Sequence, residues 1–328
     1  MEILNFNEVS QGFLRASSVT IGNFDGVHIG HRAIIKQVLE FASEHNVPSV
    51  VMTFDPHPRE VIYKGQEVPA IVTFTERARL IGELGVDYLV KVDFTPGFAS
   101  RDAEWFVEEV VYKLSPRLVV VGHDFRFGKG RKGDAELLER AGRRFGFSVV
   151  SVPAVEVLGK PVSSTRIRGL VQAGEMGRAH LLLGEPFNIR GKVIHGHGRG
   201  KDLGFATANL SWENRLVPPD GVYAAVACWD GNRFPAVANI GANPTFNDQV
   251  VSIEAHIMGH SGDLYEKEIR LALYQRLRGE IKFDSPQALS KQIKKDVEKT
   301  RQILIDEAGE DLFAGLPYSP LQEENGTS

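Results

Sequence analysis

Gly22-Asn23-Phe24-Asp25-Gly26-Val27-His28-Ile29-Gly30-His31 is the stretch around which the chain is organised. Just before it, the β-branched run Val19-Thr20-Ile21 predicts a buried strand. Just after it, Ile34, Ile35, Val38, Leu39 and Ala42 recur at helical spacing, which predicts a helix. The stretch is therefore a strand-to-helix turn, and Gly22, Gly26 and Gly30 let its backbone approach a ligand. Orphan amides and the positive dipole end of the helix suit a phosphate. His28 and His31 stand three apart, so on a first helical turn both imidazoles face one point. Such a pair suits charge building on phosphorus rather than hydride chemistry. A zinc pair would want a cysteine or acidic ligand at a familiar spacing, and none stands nearby. A dinucleotide turn would want G-x-G-x-x-G, which is absent.

Working outward, 328 residues predict two domains with room for two cores. With 42% hydrophobic and 24% charged residues, the composition is that of an ordinary globular protein. A net charge of −4 provides no basic field to recruit nucleic acid. No apolar run reaches the length of a membrane span, and Met1-Glu2-Ile3-Leu4-Asn5 does not read as a signal peptide. The lone Cys228 excludes an internal disulfide and fits a reducing compartment, so a cytoplasmic location is expected.

In the first half, Ser49–Phe54, Tyr88–Val92, Leu118–Val121 and Val149–Val152 read as further strands. Helical patterns separate them over Glu76–Leu84, Ala103–Lys113 and Ala135–Arg144. This alternation predicts an α/β domain with a parallel sheet covered on both faces, its ligands at the carboxyl ends of the strands. At Asp55-Pro56-His57-Pro58 the prolines are expected to stop regular structure. The loop Gly122–Asp134 sets Phe125 and Phe127 among Arg126, Lys129, Arg131 and Lys132. It reads as an RNA contact, an enclosure for the phosphate and pyrophosphate groups of a ligand, or a solvated loop; the global charge argues against RNA. Further on, Ser163-Ser164-Thr165-Arg166-Ile167-Arg168 precedes a helical stretch, Gly169–Ala173, and reads as a second phosphate clamp.

Gly184-Glu185-Pro186 marks the expected domain junction, so the domains are read as 1–184 and 185–308. Beyond it, Asn188–Ile194, Gly221–Trp229, Phe234–Ile240, Val250–Met258 and Glu268–Leu277 predict an antiparallel β-barrel. A C-terminal helix, Pro286–Leu304, should close it with Leu289, Ile293, Val297 and Ile303 mostly on one face. The remainder, 309–328, is read as a flexible tail. Between the first two strands, Gly191 to Leu210 contains a glycine-rich segment suited to covering phosphates. Thr207 and Asn209 are two apart, so on a strand their side-chain oxygens face the same way and suit Mg²⁺ beside ATP phosphates. Glu254 and His256 likewise share a face in Ser252-Ile253-Glu254-Ala255-His256-Ile257.

These motifs carry two resemblances. G-x-F-D-G-x-H-x-G-H resembles the ATP-binding signature of the HxGH nucleotidylyltransferases, and its Gly-Asn-Phe-Asp-Gly start is similar to their flavin adenylyltransferase branch. Together with T-F-x-P-H-P, G-x-D-F-R-F-G-K-G and S-S-T-R-I-R, it resembles the N-terminal half of bacterial FAD synthetases over about residues 15–184. G-x-V-x-x-G…G-x-x-L-G-F-x-T-A-N-L resembles flavokinases. Asn243-Pro244-Thr245-Phe246 also matches that family, whereas Ala206 replaces its usual proline, and Gly259-His260 and Glu266 depart from it. The Ala206 departure predicts weakened rather than abolished metal binding.

The resemblances imply a Rossmann-like domain that adenylates FMN to FAD, followed by a barrel that phosphorylates riboflavin. ATP, riboflavin and FMN would be the substrates, Mg²⁺ the metal, and FAD a product rather than a prosthetic group. His28 and His31 would stabilise the transition state at the ATP α-phosphate, and Glu254 would be the general base of the kinase. ATP and flavin would meet Gly22, Asn23, Phe24, Asp25, Gly26, Gly30, Asp124, Phe125, Arg126, Ser164, Thr165, Arg166 and Arg168 in the first domain. In the second they would meet Gly191, Gly196, Arg199 and Gly204, with Thr207 and Asn209 on the metal. Competing readings are an adenylyltransferase with a degraded barrel, and an HxGH transferase acting on pantetheine phosphate or nicotinate nucleotide. A third is a non-catalytic flavin- or RNA-binding regulator. No membrane or nucleic-acid partner is expected.

Overall fold

The computed structural model describes residues 1–63, 68–195, 207–213, 215–243 and 250–313. The chain forms two compact units, Met1–Arg166 and Ile167–Ser328.

The first unit is built on six parallel strands: β1 (Glu2–Asn5), β2 (Ser17–Ile21), β3 (Ser49–Asp55), β4 (Tyr88–Asp93), β5 (Pro116–Gly122) and β6 (Ser148–Val152). Their order is β1-β4-β3-β2-β5-β6. The connecting helices are α1 (Ile29–His45), α2 (Pro58–Ile62), α3 (Phe74–Glu83), α4 (Pro96–Ala99), α5 (Ala103–Leu114) and α6 (Ala135–Phe145). Alternation along β5 shows why its run is apolar throughout. Leu118 and Val120 pack with Val38 of α1, while Val119 and Val121 join Phe106, Val107 and Val110 of α5. A strand buried on both faces has no polar side to show. From β2 the chain winds outward on one side through β3 and then crosses to β5 on the other. The carboxyl ends of β2 and β5 therefore open a crevice at a topological switch point.

Three expectations change here. β1 was not expected; as an edge strand with a half-exposed pattern it has little apolar signature. The prolines stop β3, but Pro58 then starts α2 at a position where its missing N–H costs nothing. The helix α7 (Ser164–Gln172) begins five residues earlier than Gly169, because the Ser163 hydroxyl accepts the Arg166 N–H at 3.2 Å.

The second unit contains a closed antiparallel barrel, ordered β10-β13-β12-β11-β14-β9. Its strands are β9 (Phe187–Ile194), β10 (Thr207–Trp212), β11 (Gly221–Trp229), β12 (Asn232–Asn243), β13 (Val250–Ile257) and β14 (Glu268–Arg278). Helices α8 (Met176–Leu183) and α9 (Pro286–Ala308) pack on β14. The observed boundary lies ahead of 184/185, since α8 buries Met176, Ala179, Leu182 and Leu183 and its His180 ring meets Tyr274 edge-on at 6.0 Å. At the other end, the flexible-tail reading fails for Glu310–Phe313. They form a 3₁₀ turn, with Phe313 buried against Val226, Tyr274 and Leu304. Residues 314–328 lie outside the described residues.

Candidate functional site

The loops after β2, β3 and β5 lie on three neighbouring strands and bring the unusual residues of the first unit together. His28 is the N-cap of α1, and its Nδ1 accepts the His31 N–H at 3.2 Å. That bond puts the imidazole proton on Nε2. The two rings are stacked, with centroids 3.5 Å apart. A Cβ at Gly30 would press on the His28 ring at 3.2 Å, and one at Gly22 would press on the Phe24 ring at the same distance. These glycines make room for the motif's own rings. Phe24 and Val27 hold φ of 48° and 40°, and Gly26 holds 83°. For a β-branched residue such as Val27 this is a strained conformation that its surroundings must impose.

Burial lowers the His28 pKa from 6.5 to about 4, against the opposing pull of its own backbone hydrogen bond and of Asp124. His31 is pushed well below 6.5, first by burial, then by His28 and by Arg77. Both rings are therefore neutral at pH 7, and His28, though buried, carries an N–H donor at Nε2. Among the described residues, the buried His31 Nδ1 has no hydrogen-bond partner.

Not every expected site residue is exposed. Phe24 is 2% exposed and sits edge-on beneath His31 at 5.2 Å. Asp25 is 3% exposed, and its Oδ1 accepts the Ile71 N–H at 2.9 Å. These side chains are directed into the protein and serve as scaffold. Asn23 is half-buried, its amide 3.4 Å from His57 Nε2. Asp124 is exposed beside the His pair, and Arg126 is exposed with its guanidinium on the Phe125 carbonyl at 3.1 Å. Phe125 stacks on Phe127 at 5.3 Å, and Phe127 is buried against Phe106. The aromatic pair belongs to the core, which removes the argument for an RNA-stacking surface. Ser164 donates to the Asp25 carbonyl at 3.0 Å, so α7 starts against the motif turn. Thr165 is exposed. Arg166 does not project freely as a phosphate clamp. It donates to the carbonyls of Val157 (3.0 Å) and Lys160 (2.9 Å) in the hairpin of β7 (Glu156–Val157) and β8 (Lys160–Pro161). Arg168 is buried.

The barrel carries a second polar group. Asn209 on β10 lies directly opposite Glu254 on β13, and Thr207 lies opposite His256. Directly opposed residues of antiparallel strands project to the same face, about 5 Å apart. Ile253, Ala255 and Ile257 fill the other face of β13. Asn239 on β12 opposes Glu254 from the other side, so a row of Asn209, Glu254 and Asn239 crosses three strands. Gly191 lies within β9, where a Cβ would meet the Ser211 carbonyl oxygen at 2.6 Å; its role is close strand pairing. Gly196, Arg199, Gly204, Ala206, Pro244, Thr245 and Phe246 lie outside the described residues.

Sequence reasoning passed over Asn239 and Arg77. The signal for Arg77 was its place on the apolar stripe of α3, three and four residues before the buried Leu80 and Ile81. Asn239 became visible only through strand register.

The family model for FAD synthetase matches residues 10–166, and that for riboflavin kinase matches residues 183–304. A bifunctional riboflavin kinase/FMN adenylyltransferase of Pseudomonas fluorescens is 39% identical over 296 residues, covering 90% of this chain and 95% of its own. The protein of the same description from Escherichia coli K12 is 37% identical over the same shares. A solved structure described as a macrolide-efflux protein from Streptococcus pneumoniae superposes with a TM-score of 0.82 at 33% identity, covering 91% of this chain and 98% of its own. No described helix of the present chain is long and apolar enough to cross a membrane. On the similarity that runs through both halves, the chain belongs to the bifunctional riboflavin kinase/FMN adenylyltransferase family.

Proposed function

We propose that this chain makes FAD in two ATP-dependent steps, phosphorylating riboflavin in the barrel and adenylating FMN in the first unit. The observation that carries the reading is the pairing of both family matches on one chain, each over a fold with its own polar site. A transferase acting on pantetheine phosphate or nicotinate nucleotide would have no use for the second match. The same pairing speaks against a non-catalytic regulator.

In adenylyl transfer, an FMN phosphate oxygen attacks the α-phosphorus of ATP, and the bond to pyrophosphate breaks. No protein nucleophile is needed. His28 enters as a neutral imidazole and donates Nε2–H to the oxygens on which charge builds; preorganised donors of this kind favour the transition state over the ground state. An approaching triphosphate also raises the pKa of both rings, strengthening the donors when they are needed. In the kinase step, Glu254 accepts the proton of the riboflavin 5′-hydroxyl as that oxygen attacks the γ-phosphorus and ADP leaves.

Thr207 and Asn209 supply neutral oxygens beside the Glu254 carboxylate, a donor set that fits Mg²⁺ better than a softer metal. Such an ion would neutralise phosphate charge. A cytoplasmic location completes the reading, supported by the single cysteine and the nature of the substrates.

The test is to incubate the protein with riboflavin, ATP and Mg²⁺ and to separate the flavins by chromatography. FMN followed by FAD is expected. Unchanged riboflavin with conversion of added FMN would confine activity to the first unit, and no conversion of either flavin would overturn the reading.

A further inference from the structure

Arg77, in the first turn of α3, is 6% exposed. Burying a guanidinium costs several kcal/mol unless it is paired, so its partners show what it is for. One terminal nitrogen donates to the Asn23 carbonyl at 2.7 Å, and the other lies 3.5 Å from Asp55 Oδ1 at the end of β3. Asp25 and Asp55 both favour its charge against the effect of burial. The guanidinium also stands 5.5 Å over the Phe74 ring. Among the described residues, its buried Nε has no hydrogen-bond partner.

The Asn23 carbonyl accepts a second bond, from the Thr53 hydroxyl at 3.0 Å. It immediately precedes Phe24, the first of the left-handed residues in the turn. At the far end of the turn, Arg32 Nε holds the Val27 carbonyl at 3.0 Å. A turn with Phe24 and Val27 at positive φ stays in place only when several contacts over-determine it. Arg77 is the contact that links the turn to both β3 and α3.

We propose that Arg77 is a positioning residue for adenylyl transfer, fixing through the Asn23 carbonyl and Asp55 the turn on which His28 and His31 stand. The proposal rests on the adenylyltransferase reading given above. A planar fork suits the site because its two terminal nitrogens reach two separate acceptors, the Asn23 carbonyl and Asp55, which the single ammonium of a lysine would not span in the same geometry. The charge has a second effect. His31 is faced by His28 from the N-cap and by Arg77 from α3, while Asp55 pairs with Arg77, Asp25 favours its charge and Asp124 acts on His28. Removing the cation makes His31 easier to protonate.

The test compares wild type, Arg77→Lys and Arg77→Gln in the full chain, with FAD formation from FMN and ATP measured beside FMN formation from riboflavin. Both variants should lose about a hundredfold in kcat for FAD, the scale of a misplaced catalytic group. Their KM values should stay within about threefold, and FMN formation should be unchanged, which reports a folded chain. Arg77→Gln should also move the acid limb of the FAD pH profile upward, and Arg77→Lys should not. A variant with wild-type kcat, or one raised only in KM, would overturn the proposal. If Arg77→Gln loses both activities, Arg77→Lys decides the matter by the same criteria. Absence of FAD formation in wild type would instead strike at the adenylyltransferase reading itself.

Discussion

Protonating His28 in the folded chain means charging an imidazole almost sealed from water. Its pKa is about 4 when folded and 6.5 when exposed, so between these values the unfolded chain binds the proton that the folded chain refuses. Stability contributed by the neutral ring is present above pH 6.5 and is lost as pH falls through that window, by about 3 kcal/mol in all. Melting curves from pH 7 to pH 4 should fall less steeply for His28→Asn than for wild type; parallel curves would refute this. Glu266 gives a second prediction at this scale. It holds φ of 65°, and its carboxylate pairs with Lys192 at the surface. Glycine removes the backbone penalty while the exposed ion pair is worth little. Glu266→Gly should therefore raise the melting temperature of the barrel by a few degrees, corresponding to ~1 kcal/mol. At the residue scale the closeness of the two histidines was legible because their spacing on a helix start restricts where they can point. The burial of Phe24 and Asp25 was not, because a linear motif does not show which side chains are directed inward.

Helix α9 shows how far an element can be read. Its start and length follow from Ser285, which caps the Ala288 N–H at 3.2 Å, and from Pro286 at its first turn. Its buried seam does not match the apolar stripe: Asp296, Thr300 and Leu304 are buried, whereas Leu289, Ile293 and Val297 are only partly covered. A carboxylate reads as a solvent-facing residue until its partner is known. Here the partner is Arg278 on β14, which reaches Asp296 through Nε at 3.1 Å and a terminal nitrogen at 2.8 Å, while Gln292 adds a bond at 2.9 Å. Such pairing is long-range information that helical periodicity cannot contain. Asp296→Ala leaves the cation of Arg278 partly buried and unpaired, and should cost about 3–5 kcal/mol. Denaturant unfolding should show the loss, with FMN formation becoming heat-labile before FAD formation does.

At the scale of the whole molecule, both architectures were legible because the hydrophobic period changes from alternating strand and helix to strand alone. The boundary was less so, since nothing local to Gly184 tells that α8 packs with β9 and β14. Two units with separate polar sites predict separable defects. Glu254→Gln should stop FMN formation yet still convert supplied FMN, and His28→Asn should accumulate FMN. Mixed in one tube with riboflavin and ATP, the two variants should make FAD that neither makes alone; failure of the mixture while each retains its single activity would show that FMN is not released.

The six strands of the barrel close on one another, whereas the parallel sheet ends at β1 and β6. A closed ring offers no row of unpaired amides, but an open sheet offers one at each margin. Ile3 and Val150 are exposed along those margins; Glu2 puts a charge on β1, whereas β6, Ser148-Val149-Val150-Ser151-Val152, carries none. The hazard of strand-to-strand clumping is thus carried by one half of the chain. Val150→Lys should reduce turbidity on mild heating while leaving both activities intact, and a matching charge on the outer wall of the barrel should do nothing. Colloidal behaviour, like chemistry, is divided between the two halves.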